Sequence, residues 1–363
     1  MLRTALTGAA PHVRFGGMRP TREEANQEVR IMTATANVPA VTGQPLNIPI
    51  AGFKDVYDVD AVDRALADLP QGANDALKTT YERMIRAGGT RLTVKPSGLP
   101  AMERLFDELP NFGAVLEDIR KQIALCASSA DALEITPMLL LGDPGIGKTH
   151  FARRVSELLG TGFGFVSMSS LTAGWVLSGS SSQWKNSKPG KVFETFLHGQ
   201  YANPLICVDE IDKAGGDAQY DPLGALYSLL EHDTAKAFID EFVELPIDAS
   251  SVFWVATAND ASRIPEPILN RMNVYEIDAP DRAGALKIAQ TIYAEIRNAH
   301  DWGKQFPEQP DAAVLEKIAA LGPREMRRAI LGAFGNAKID GRHEVEERDV
   351  VDSRAAKKAR IGF

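Results

Sequence analysis

Eight residues constrain this chain more than any others. Gly142-Asp143-Pro144-Gly145-Ile146-Gly147-Lys148-Thr149 fits the spacing Gly-x-x-x-x-Gly-Lys-Thr. The apolar run Met138-Leu139-Leu140-Leu141 before it has the length and character of a buried parallel strand. After it, Phe151, Val155 and Leu158 recur at helical spacing, and Gly160 closes the pattern. Strand, Gly-rich turn and helix in that order bring backbone N–H groups and the positive end of a helix together around phosphate oxygens. Lys148 would reach the outer phosphates and Thr149 a Mg²⁺ ion. A chance Gly-rich turn has no reason to carry both flanks.

A second signal lies downstream. Asp209 and Glu210 follow Leu205-Ile206-Cys207-Val208, and a carboxylate at the C-terminal end of a strand faces the ligand crevice of a parallel α/β sheet. Asp209 is expected to hold Mg²⁺ through water, and Glu210 to orient and polarise an attacking water. Further apolar runs at residues 163–168 and 252–256 alternate with helical stretches, which predicts a parallel α/β sheet.

Composition narrows the function. Lys and Arg number 40 against 48 Asp and Glu, a net charge of −8. That disfavours a general DNA-coating protein, which needs clustered cations, without excluding a local basic patch. Cys126 and Cys207 lack metal-ligand spacing and fit a reducing cytoplasm. No run of about 18 apolar residues is present, so no membrane helix is expected.

Five regions are predicted. Residues 1–60 read as a largely irregular tail; the first 36 hold five Arg and three acidic residues, and the alternatives there are a disordered segment, a targeting segment or an upstream start with Met18 or Met32 as the true one. Residues 61–109 read as a helical linker, 110–280 as the nucleotide-binding domain, 281–350 as a small helical domain and 351–363 as a C-terminal tail.

Three more strings resemble the sensor 1, arginine-finger and sensor 2 elements of AAA+ proteins: Thr257-Ala258-Asn259, the stretch from Arg263 to Arg271-Met272, and Gly322-Pro323-Arg324-Glu325-Met326-Arg327-Arg328. Within AAA+, the chain resembles the ATPase module of Lon proteases over roughly residues 100–335. Asn111-Phe112-Gly113, Lys188-Pro189-Gly190-Lys191, the run from Asn203 to Lys213, Asp221-Pro222-Leu223-Gly224, Leu245-Pro246-Ile247-Asp248 and Ile264-Pro265-Glu266-Pro267 carry that likeness. The resemblance implies an α/β fold: a P-loop AAA+ parallel sheet sandwiched by helices, then a small all-α lid, with a mostly helical N-terminal region before it.

It also implies roles. Glu210, Asn259, Arg271 and Arg324 would be catalytic, Arg271 acting in trans. Gly142, Asp143, Pro144, Gly145, Ile146, Gly147, Lys148, Thr149 and His150 would bind ATP, with Phe112 and Gly113 at the adenine. Thr149 and Asp209 would serve Mg²⁺. Trp184 and Lys185 occupy the aromatic pore-loop position, with Trp for the usual Tyr, and Tyr220 is the candidate contact of a second pore loop. The implied assembly is a homo-oligomer, a hexamer by the same resemblance, acting on a protein substrate with or without an adaptor. Alternatives are a nucleic-acid-associated AAA+ ATPase and a nucleotide-gated scaffold. The stretch after Arg328 is too short for the Ser–Lys protease domain of Lon, so peptidase activity is not expected.

Overall fold

The structure is a computed structural model that describes residues 50–351, except 97–98, 100–101, 130, 171–174, 185 and 215–220. Of the two expected tails, only residues 50–60 and 351 are described.

The described chain opens with strand β1 (Ile50–Asp55), helices α1 (Val59–Ala67) and α2 (Asp75–Ala87), and strand β2 (Thr90–Val94). β1 and β2 pair antiparallel, with Phe53 opposite Leu92. This places a strand pair in stretches read as largely irregular up to residue 60 and as a helical linker from 61 to 109. Asp58 and Asn74 cap the two helices, each accepting from the backbone N–H two residues on. Gly89 permits the close return, because a Cβ there would run into the Tyr57 carbonyl. β2 then docks on the segment before the central sheet: Leu92 donates to Gln200 O at 2.8 Å, and Asn203 brackets Val94 with two hydrogen bonds of 2.8 and 3.0 Å. Val62, Tyr81 and Met84 of this unit share one core with Phe193, Phe196 and Phe242. Residues 50–94 are therefore built into the nucleotide-binding domain and do not stand apart as a linker.

After helix α3 (Gly113–Ala127), strands β3 (Met138–Leu141), β4 (Phe163–Ser167) and β5 (Leu205–Asp209) alternate with helices α4 (Lys148–Leu159), α5 (Trp175–Ser178) and α6 (Lys191–His198). A two-residue pair, β6 (Phe238–Ile239) and β7 (Pro246–Ile247), precedes β8 (Phe253–Ala258) and β9 (Asn273–Glu276). The central sheet is parallel, in the order β4-β5-β8-β3-β9. Alternate side chains point to opposite faces of a strand. Accordingly Ile206, Val208, Trp254 and Ala256 enter the core shared with α6, while Leu205, Cys207, Phe253 and Val255 enter the core shared with α3 and α4. β9 escaped the sequence reading because it is an edge strand whose residues are mostly exposed, so it lacks an apolar run.

Helices α7 (Arg282–Ala299), α8 (Ala312–Ala319) and α9 (Pro323–Ile339) form the lid. They enclose a third core, in which Tyr293, Phe306 and Phe334 pack ring on ring. Asp281 and Asp311 cap α7 and α8, and Pro323 takes the first turn of α9, where its missing N–H costs nothing. No helix among the described residues is long and apolar enough to cross a membrane.

Candidate active site

The phosphate loop leaves β3 and enters α4 through two glycines in the left-handed region, Gly145 at φ 87° and Gly147 at φ 104°. A side chain at either position would be strained. Lys148 is only 8% exposed. Its ammonium donates to Gly142 O, to Asp143 O at 2.9 Å and to Asn259 Oδ1 at 2.9 Å. Burial holds its pKa below the usual lysine value, while nearby carboxylates, Asp209 foremost, oppose that shift. Ile146 is buried beneath the loop, whereas Asp143, Pro144 and His150 are exposed.

At the end of β5, Thr149 Oγ1 donates to Asp209 Oδ1 at 2.7 Å, and Thr257 Oγ1 donates to the same oxygen at 2.8 Å. Glu210 N donates back to Thr257 Oγ1 at 2.9 Å. One hydroxyl on β8 thus ties together Asp209, the last residue of β5, and Glu210, which follows it. Glu210 itself adopts φ 56°, a left-handed conformation that costs a non-glycine residue on the order of 1 kcal/mol and that over-determined sites tolerate. Sequence reasoning placed Thr257 in a polar string but gave it no role. Asp212, with a fully buried side chain, lies 3.2 Å from Lys213 Nζ and has no hydrogen-bond partner for either carboxylate oxygen; it too was missed.

Asn259, at the end of β8, joins the loop through Lys148. Arg324 comes from the lid: a Cβ placed on Gly145 would sit 3.3 Å from Arg324 Cβ. Arg271 is not at this site. Its Nε lies 2.8 Å from Glu231 Oε1, out of line for a hydrogen bond, and its Nη1 donates to Pro267 O at 2.6 Å. The Phe112 ring is fully buried and stacked on Phe151 at 4.7 Å; Gly113 beside it opens α3.

A second cluster surrounds residues 179–190. Trp184 is 47% exposed and meets Trp175 edge-on at 5.9 Å. The loop closes on itself where Ser180 N donates to Lys188 O at 3.0 Å. Lys185 and Tyr220, the other two expected contacts, lie outside the described residues. Lys191 pairs with Glu194 at 3.6 Å. Asp240, 0% exposed, accepts from Gly190 N at 2.7 Å and from Phe242 N at 2.9 Å.

Burial pushes the Asp240 carboxyl up to about 7, although three backbone N–H groups favour its ionised form. The folded state therefore binds the proton more tightly than the unfolded chain. The stability this group adds is fully present below the unfolded value of 3.8 and is lost as pH rises toward 7. The melting-temperature advantage of wild type over Asp240→Asn should shrink between about pH 5 and pH 7.5; a constant advantage would contradict this.

The family "ATPase family associated with various cellular activities (AAA)" matches residues 138–278. The mitochondrial Lon protease homolog of Schizosaccharomyces pombe is 38% identical over 153 residues, covering 42% of this chain and 14% of that protein. The Lon protease of Mesomycoplasma hyopneumoniae is 29% identical over 283 residues, covering 76% of this chain and 31% of that protein. The chain spans less than a third of the length of these relatives. In fold it is similar to the S. cerevisiae Hsp104:casein complex in its extended conformation, with a TM-score of 0.53 and 18% identity over 68% of this chain and 48% of that one.

Proposed function

We propose, for a chain whose residues 138–278 are an AAA ATPase domain resembling the ATPase module of Lon proteases, that the protein hydrolyses ATP as a ring of identical subunits and uses the energy to remodel or unfold protein substrates. The observation that carries the chemical part is the chain of contacts from Thr149 through Asp209 and Thr257 to Glu210. Thr149 and Asp209 offer hard oxygens 2.7 Å apart, which fits Mg²⁺, an ion that takes few protein ligands; bound there, it would neutralise charge on the phosphates. Lys148 supplies a buried cation at the outer phosphates. Glu210 orients and polarises the attacking water, and Asn259 holds its place beside Lys148. Arg324 links the lid to the phosphate loop. Arg271 acts on the nucleotide of the neighbouring subunit, in which a cation in trans stabilises charge on the transferring phosphoryl group. In the subunit on its own, Glu231 holds that guanidinium.

The protein-remodelling part is supported by Trp184, a large apolar ring exposed on a Ser-rich loop where core packing would bury it. Casein-stimulated ATPase should be lost in Trp184→Ala; full retention would make the ring structural and remove the substrate contact. Among the lysines near that loop, Lys191 is paired with Glu194 within the subunit. Turnover residues such as Glu210 and Asn259 are superfluous to a mere scaffold. Peptidase activity forms no part of this reading. A cytoplasmic setting is consistent with Cys126 and Cys207, both buried and unpaired.

A further inference from the structure

We infer that residues 50–94 are a brace for the Trp184 loop, and that Asn74 is the positioning residue which fixes where Trp184 is presented; this rests on the reading of Trp184 as a substrate contact. Asn74 does two things with one amide. Its Oδ1 accepts from Ala76 N at 2.9 Å and caps α2. Its Nδ2 donates to Ser182 O at 2.8 Å and to Ser187 Oγ at 3.2 Å. Those two acceptors flank Trp184 on either side.

The start of α2 is itself held fast. Residues three, seven and ten positions after Asn74 fall on one helical face, and all three, Leu77, Tyr81 and Met84, are buried in the central core. Tyr81 also donates its hydroxyl to Val243 O at 2.8 Å. Val243 N donates to Asp240, the carboxylate that receives Gly190 N at the far end of the loop. β1 adds a further anchor, with Lys54 donating to Asp248 Oδ1, Ser250 Oγ and Ser251 Oγ at 2.8–3.0 Å. The loop is thus gripped at its tip by Asn74 and at its base by Asp240, and both grips converge on residues 240–243. A loop of small polar residues has little apolar burial of its own to fix its shape, so hydrogen bonds from outside decide it.

The test is Asn74→Asp in the full-length chain. Asp caps a helix as well as Asn but cannot donate, and it sets a carboxylate against the Ser182 carbonyl. Asn74→Ser, which also caps but is too short to reach the loop, serves as the second variant. Hydrogen–deuterium exchange at the Ser180, Trp184 and Ser187 amides is expected to speed up about three- to thirtyfold, on the scale of one or two lost hydrogen bonds. The casein concentration giving half-maximal ATPase stimulation should rise severalfold, while the KM for ATP stays within twofold. Exchange unchanged in both variants overturns the brace, whatever Trp184 does. Faster exchange with the casein response unmoved, although Trp184→Ala abolishes it, overturns the positioning role. A casein response that survives Trp184→Ala overturns the substrate-contact reading on which the inference stands.

Discussion

Lys148→Ala is expected to abolish useful nucleotide binding. The ammonium joins the phosphate loop to Asn259, the residue after β8, through Gly142 O, Asp143 O and Asn259 Oδ1. Desolvation depresses its pKa, and an anionic ligand beside it would favour the charged form. A hydrogen bond to a charged group is worth roughly 1.5–3 kcal/mol, and removing it should weaken nucleotide affinity by about ten- to a hundredfold. Lys148→Met, which keeps the apolar stem, guards against simple collapse of the loop. Fluorescence titration with a labelled ATP analogue checks both variants, and an affinity within twofold of wild type would take Lys148 out of the site.

The second large effect is on turnover. Glu210→Gln keeps the size of the side chain, the left-handed backbone and the N–H bond to Thr257 Oγ1. It removes only the charge that would polarise water. General-base contributions are about 10²–10⁴-fold, so single-turnover hydrolysis should slow by at least two orders of magnitude while nucleotide still binds. The trapped ATP state should also elute as a stable assembly in size-exclusion chromatography. Hydrolysis within tenfold of wild type would strip Glu210 of its role and point to another base.

The parts of the site that were legible in the sequence are the local ones. From Gly142 to Thr149 the string, its strand and its helix lie in adjacent residues, and Asp209-Glu210 ends its own apolar run. Thr257 was not legible as a partner of both acids, because that depends on the register of β5 against β8, which sets Val208 beside Ala256. No local pattern reports such a register. The β1–β2 pair was missed for the same reason: its partners Asp55 and Thr90 are separated by two helices. Phe112 shows the converse. Its string matched a family pattern, but the stack on Phe151 is a packing fact that only three dimensions reveal. The contact of Asn74 with a loop more than a hundred residues away was beyond any local pattern.

The most direct measurement of the central claim is the ATPase rate of the purified protein against increasing casein, with single-stranded DNA in a parallel series. The account predicts saturable stimulation by casein and none by DNA; stimulation by DNA alone would contradict it.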